Sequence, residues 1–197
     1  GDRSARATAR PRKASKPQGA KPGGARMVAR DLLIAILERG RFLDEAMAAN
    51  GEFAALSARD RGFARLIAVT VLRRLGQIDA LLAHCIARPL PRKEEEARAA
   101  LRMGAAQLLF LDTPAHAAVG ETVAATPKRA RGLVNAVLRR VSEVHEPRWP
   151  RPAIEHSYPD WLWSRAEAQW GSDGAAALIA MNTPERPNAR ADGYVQG

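Results

Sequence analysis

The residues with the most chemical potential in this chain are its arginines. Thr122–Ser142 carries five cations (Lys128, Arg129, Arg131, Arg139 and Arg140) and no acid. A second group, Arg59, Arg61, Arg65, Arg73 and Arg74, has Asp60 as the only acid within it. Guanidinium groups bind phosphate oxygens bidentately, so either group suits a nucleic-acid backbone. A solvated helix face explains each group equally well, and Asp60 between Arg59 and Arg61 also suits a structural ion pair.

No other reaction chemistry is spelled out. There is no G-x-G-x-x-G, P-loop or H-E-x-x-H sequence. The single cysteine, Cys85, excludes a disulfide within the chain and argues against a Cys-based zinc site. The four histidines (84, 116, 145 and 156) are scattered. His84 adjoins Cys85, but helical neighbours point about 100° apart, so the two do not form a dyad. Cys85 reads as a small buried hydrophobe, and His116, after a proline break, as a local structural residue. Asn135 sits among apolar neighbours, where its amide needs a hydrogen-bond partner in an adjoining turn. Trp149, Trp161, Trp163 and Trp170 suit base stacking, or more simply core and interface packing.

Charge and composition bound the class. The formal charge of +10 on 197 residues is uneven. Residues 1–30 hold nine basic residues and one acid, whereas residues 31–197 hold 22 basic and 20 acidic residues. The chain is therefore a basic tail on a nearly neutral body, and such tails bind polyanions loosely and salt-dependently. One cysteine, no apolar run of membrane-spanning length and no signal-peptide pattern point to a reducing, cytoplasmic setting without a membrane. Ala is about a fifth of the chain, and Arg (26) far outnumbers Lys (5). Ala favours helix, although a biased genome composition explains the same excess.

Helices must position these groups. Residues 1–24 lack apolar periodicity and are expected to be disordered. Met27, Leu33, Ile34 and Leu37 recur at helical spacing up to Gly40. Leu43, Ala46 and Met47 mark a short second helix. Ser57 and Asp60 resemble a capping box before a long helix with Phe63, Leu66, Ile67, Thr70, Val71 and Leu75 inward, ending near Gly76. Further helices are predicted over 78–85, 94–111, 115–126 and 132–144, separated by prolines. The proline-rich 147–160 reads as an extended linker, followed by two short helices at 161–170 and 172–181. No segment alternates like a strand.

The blocks LSARDRGFARLIAVTVLRRLGQID (56–79), LRMGAAQLLFLDTPAHAAVGETV (101–123) and GLVNAVLRRV (132–141) resemble the N-terminal region of the bacterial RsmB/Sun (Fmu) RNA methyltransferases. HSYPDWLWSRAEAQWG (156–171) resembles the segment joining that region to the catalytic domain. The resemblance covers roughly 26–183. It implies an all-α, NusB-like fold of two packed three-helix subdomains over 25–146. It also implies a linker and the start of a methyltransferase domain over 147–197.

The parent chemistry that the resemblance implies is methyl transfer from S-adenosylmethionine to C5 of a cytosine in small-subunit ribosomal RNA. C5 of cytosine is a poor nucleophile until a thiolate adds at C6, and the resemblance implies one cysteine that attacks and a second that helps release product. Cys85, in an HCIA context, is unlike the family's Pro-Cys and Thr-Cys motifs, so no catalytic residue is carried over and no cofactor is expected in this chain. The chain ends about where the catalytic domain should begin and should not methylate alone. RNA contacts are expected from Arg26, Arg30 and the two arginine groups, with Asp60, Gln107, His116, Glu121 and Asn135 in structural roles. Gly120 replaces the family's usual Asn, which is expected to weaken a cap or contact at a turn. The other reading is a free-standing NusB-type antitermination factor that binds RNA with a small ribosomal protein, and a third is a protein-interaction module.

Overall fold

The computed structural model describes residues 24–144 and 160–181, and every regular element among them is helical. The predicted disorder of 1–24 and the linker over 147–160 fall almost wholly outside these residues. In order, the helices are α1 (Gly24–Leu37), α2 (Leu43–Ala49), α3 (Gly51–Ala55), α4 (Ala58–Arg73), α5 (Leu75–Cys85), α6 (Glu95–Phe110), α7 (Ala115–Ala124), a 3₁₀ turn (Lys128–Ala130), α8 (Arg131–Glu143) and α9 (Asp160–Met181). Among the described residues, no helix is long and apolar enough to cross a membrane.

Helix ends follow local chemistry. Gly40 takes φ +69°, a left-handed geometry that glycine adopts without a Cβ clash, and ends the turn after α1. Ser57 caps α4: its Oγ accepts from the Asp60 N–H at 3.1 Å and donates to the Asp60 carboxylate at 2.8 Å. Asp112 takes φ +48° in the break between α6 and α7. α9 is interrupted at Gly171 (φ +73°, ψ 167°), which divides it as the two predicted short helices require.

α6 is the centre of the fold. It packs on α1 and α4 on one side and on α5, α7 and α8 on the other, joining an N-terminal and a C-terminal group of helices. Its buried residues are mostly alanines (97, 99, 100, 105 and 106), with Leu101 and Met103. A helix buried on nearly all sides reads as apolar all round, and the small side chains let neighbours approach closely. Gly104 is the extreme case, because a Cβ there would overlap both δ-methyls of the buried Leu138 on α8.

Four sequence expectations change. Met27 and Leu66 are exposed, because Val28, Ala29, Leu32 and Leu33 on α1, and Ala64, Ile67, Ala68 and Val71 on α4, face the core instead. The helix break lies at Arg74, two residues before Gly76, and Gly76 sits in the first turn of α5. α3 has no counterpart among the predicted helices: it is five residues long, with no buried residue to set a period. Gly120 lies inside α7 rather than at a turn, exposed and with open space at its Cβ.

Candidate nucleic-acid interface

The twelve candidate cations divide by what holds them. On α1, Arg26 Nε donates to Gln107 Oε1 at 2.8 Å, and its guanidinium lies 5.0 Å from the centroid of the Phe63 ring. Burial pushes its pKa below the ordinary arginine value, while Glu121 pulls it back up. Arg30 Nη1 donates to the Ala125 carbonyl at 2.7 Å, and Nε and Nη2 both reach Asp31 Oδ1. Its side chain is only 12% exposed. Both α1 arginines are thus engaged within the fold.

Gln107 is the hub of this arrangement. It is fully buried, accepts from Arg26 and donates through Nε2 to the Met103 carbonyl (3.1 Å) and Thr122 Oγ1 (3.0 Å). Thr126 Oγ1 continues the chain to the Thr122 carbonyl at 2.8 Å. A buried amide with its polar atoms satisfied costs little, but one deprived of a partner is expensive. Glu121 faces this network, half-buried on α7. Asn135 does not occupy the buried stripe of α8, which is Val134, Val137, Leu138 and Val141; it lies half-buried beside it. His116 is exposed in the first turn of α7.

The C-terminal cations are mostly engaged as well. Arg131 donates to the Thr126 and Ala124 carbonyls at 2.8 and 3.1 Å, closing the end of α7. Arg140 Nη1 donates to the Cys85 carbonyl at the end of α5. Arg129 pairs with Glu96 at 2.6 Å and approaches Glu94 at 4.0 Å. Lys128 and Arg139 are exposed with no partner among the described residues.

On α4, Arg61 reaches the Ala54 carbonyl at 3.2 Å, and Arg74 lies 5.3 Å from the Phe110 ring centroid. Arg59, Arg65 and Arg73 are exposed and have no partner among the described residues. Asp60, the acid among them, is turned to Ser57.

Arg129 and Arg74, one from each arginine group, are anchored at opposite ends of α6. Arg129 sits at the first turn of α6, while Arg74 covers Phe110 at its end. Fourteen residues of helix, about 21 Å, separate these anchor points. Partners 81 and 95 residues apart, as for Arg26 and Arg30, leave no signal in local spacing. Arg98 and Arg102, absent from the sequence candidates, bind Glu38 and Asp79.

Residues 24–143, from the first residue of α1 to the last of α8, match the family model described as the NusB family. The chain belongs to the NusB family. Relatives of this NusB-family chain include proteins named ribosomal RNA small subunit methyltransferase B. That of Xanthomonas campestris pv. campestris is 36% identical over 159 residues, covering 78% of this chain and 35% of the relative. That of Xylella fastidiosa is 37% identical over 167 residues, covering 80% and 38%. That of Pseudomonas putida is 31% identical over 165 residues, covering 80% and 37%. The chain thus spans little more than a third of the length of these relatives. Their likeness runs over more residues than the NusB segment contains.

Cys85 is buried, and burial pushes its thiol pKa up against the opposing pull of Arg140. Such a thiol is a poor nucleophile at neutral pH. An open groove of about 500 Å³ runs between Cys85–Pro91 and Leu133, Ala136, Val137 and Arg140 of α8, and it is overwhelmingly apolar. The neighbouring groove holds Asp79, Arg98 and Arg102, whose charges pair with one another and with Glu38. No cluster of His, Cys, Asp and Glu among the described residues could hold a metal ion.

Proposed function

We propose that this chain is the RNA-binding helical module of an S-adenosylmethionine-dependent ribosomal RNA (cytosine-C5) methyltransferase, with catalysis residing in a separate domain. The observation that carries this reading is the exposed Arg59, Arg65 and Arg73 of α4, which have no side-chain partner among the described residues, on a body shared with proteins named as ribosomal RNA methyltransferases. The cofactor, the small-subunit RNA and a cytoplasmic setting belong to the same proposal. Residues 1–23 add seven basic residues against one acid and act as a non-specific electrostatic anchor. Residues 147–197 lead toward the methyltransferase domain. The antitermination reading is less well supported, because the likeness to the methyltransferases extends past the NusB segment.

Filter binding of a structured small-subunit RNA fragment at two salt concentrations tests this. Binding should fall steeply as salt rises. Absent or salt-independent binding would favour a protein-interaction module instead.

A further inference from the structure

Not every exposed cation has the same surroundings. Lys128 has Arg129 beside it in sequence, but Arg129 is neutralised by Glu96, and Arg139 stands on a different helix. On α4 the arrangement is continuous. Arg59, Leu66 and Arg73 follow one another at intervals of seven, so they fall nearly in line along one face of the helix. Gly62 and the half-buried Val69 lie between them, and Arg65 flanks the line. The two ends of this line are fourteen residues, about 21 Å, apart. None of its residues is acidic.

The composition of this face also says what it does not do. Leu66, half exposed at 50%, is its only large exposed apolar side chain, and it carries no aromatic ring or amide. Single-stranded RNA is held by stacking bases on aromatic rings and by hydrogen bonds to base edges. The exposed aromatic residues of the described chain are Phe42, before α2, and Trp161 and Trp170 on α9. None is on α4. Double-stranded RNA is recognised by shape and backbone contacts. A face of spaced guanidiniums, with a glycine and two aliphatic side chains between them, fits that task.

We infer that the outward face of α4, through Arg59, Arg65 and Arg73, binds the phosphate backbone of double-helical RNA without reading its sequence. This rests on the proposal that the chain binds RNA. Gly62 provides the test. A Cβ there meets nothing within 4 Å, and both Glu and Gln are better helix formers than Gly. Gly62→Glu therefore places a negative charge three residues from both Arg59 and Arg65 while keeping the fold. Gly62→Gln adds the same bulk without charge.

The full chain and both variants would be titrated by fluorescence anisotropy with an RNA duplex of about 20 base pairs, with its single strand, and with a duplex of unrelated sequence. Gly62→Glu should weaken binding to both duplexes about tenfold or more at about 0.1 M salt, and Gly62→Gln less than about twofold. Equal duplex binding by Gly62→Glu and the unaltered chain would overturn the assignment to α4 while leaving RNA binding by the chain in place. Tighter binding of the single strand than of the duplex by the unaltered chain would overturn the duplex specificity. An unaltered chain that binds no RNA would overturn the proposed function together with this inference.

Discussion

Arg26 and Arg30 on α1, and Arg59, Arg65 and Arg73 on α4, are the same residue type on two helices that pack against each other. Their fates differ. The α1 pair points into the fold, to Gln107, Phe63 and the end of α7. The α4 trio points to solvent with no internal partner among the described residues. The lesson is that a basic helix is not by itself a phosphate-binding surface. A guanidinium already donating to a buried amide or a helix-end carbonyl must give up that bond before it can serve a ligand, and the orphaned acceptor then carries a penalty.

Breaking the α1 arrangement should cost stability most. Gln107→Leu removes the acceptor of Arg26 and the donor to Thr122 in one step. We expect a loss of about 2–3 kcal/mol, measured by urea denaturation. A loss below about 0.5 kcal/mol would mean that the network is not a stabilising element.

A smaller loss is expected at the second α1 arginine. Arg30→Gln shortens the side chain that caps the Ala125 carbonyl, so stability should fall by about 1–2 kcal/mol. RNA affinity of the folded variant should stay unchanged. A large loss of affinity with full stability would place Arg30 with the α4 trio.

The smallest effect belongs to Cys85, under the Arg140 cap. Its thiol pKa is raised in the folded chain, so above the unfolded thiol's value of about 8.5 the folded state holds more protons than the unfolded state. Stability should therefore fall as pH rises through that value, with no contribution below it. Cys85→Ala should remove this alkaline slope in denaturation curves collected from pH 7 to about 10. An unchanged slope would assign the effect to other groups.

Most of the helices were legible in the sequence because their causes are local. Ser57 and Asp60 announce the start of α4, Gly40 the turn after α1, and the Asp112–Pro114 break the gap before α7. The buried stripe of α8 follows from the spacing of Val134, Val137, Leu138 and Val141. The fold family was legible from the ordered blocks at 56–79, 101–123 and 132–141. The division of the arginines was not. Arg140 acts on Cys85, 55 residues away, and Arg26 on Gln107, 81 residues away. Nothing about Arg26 in its own helix distinguishes it from Arg59. Asp60 looked like an ion-pair partner for Arg59 and Arg61, yet its carboxylate is taken by the Ser57 hydroxyl. Leu66 looked like core because its period fits, but helix α4 turns Ala64, Ile67 and Ala68 inward instead.

The central claim is that RNA is gripped by the α4 trio. The most direct test is the salt dependence of duplex RNA binding for the unaltered chain and for Arg59→Gln/Arg65→Gln/Arg73→Gln. Stability should stay within about 0.5 kcal/mol, since these side chains have no internal partner among the described residues. If each arginine meets one phosphate, the slope of log K against log salt should become shallower by about 2–3. A triple variant with the unaltered chain's slope and affinity would contradict the account.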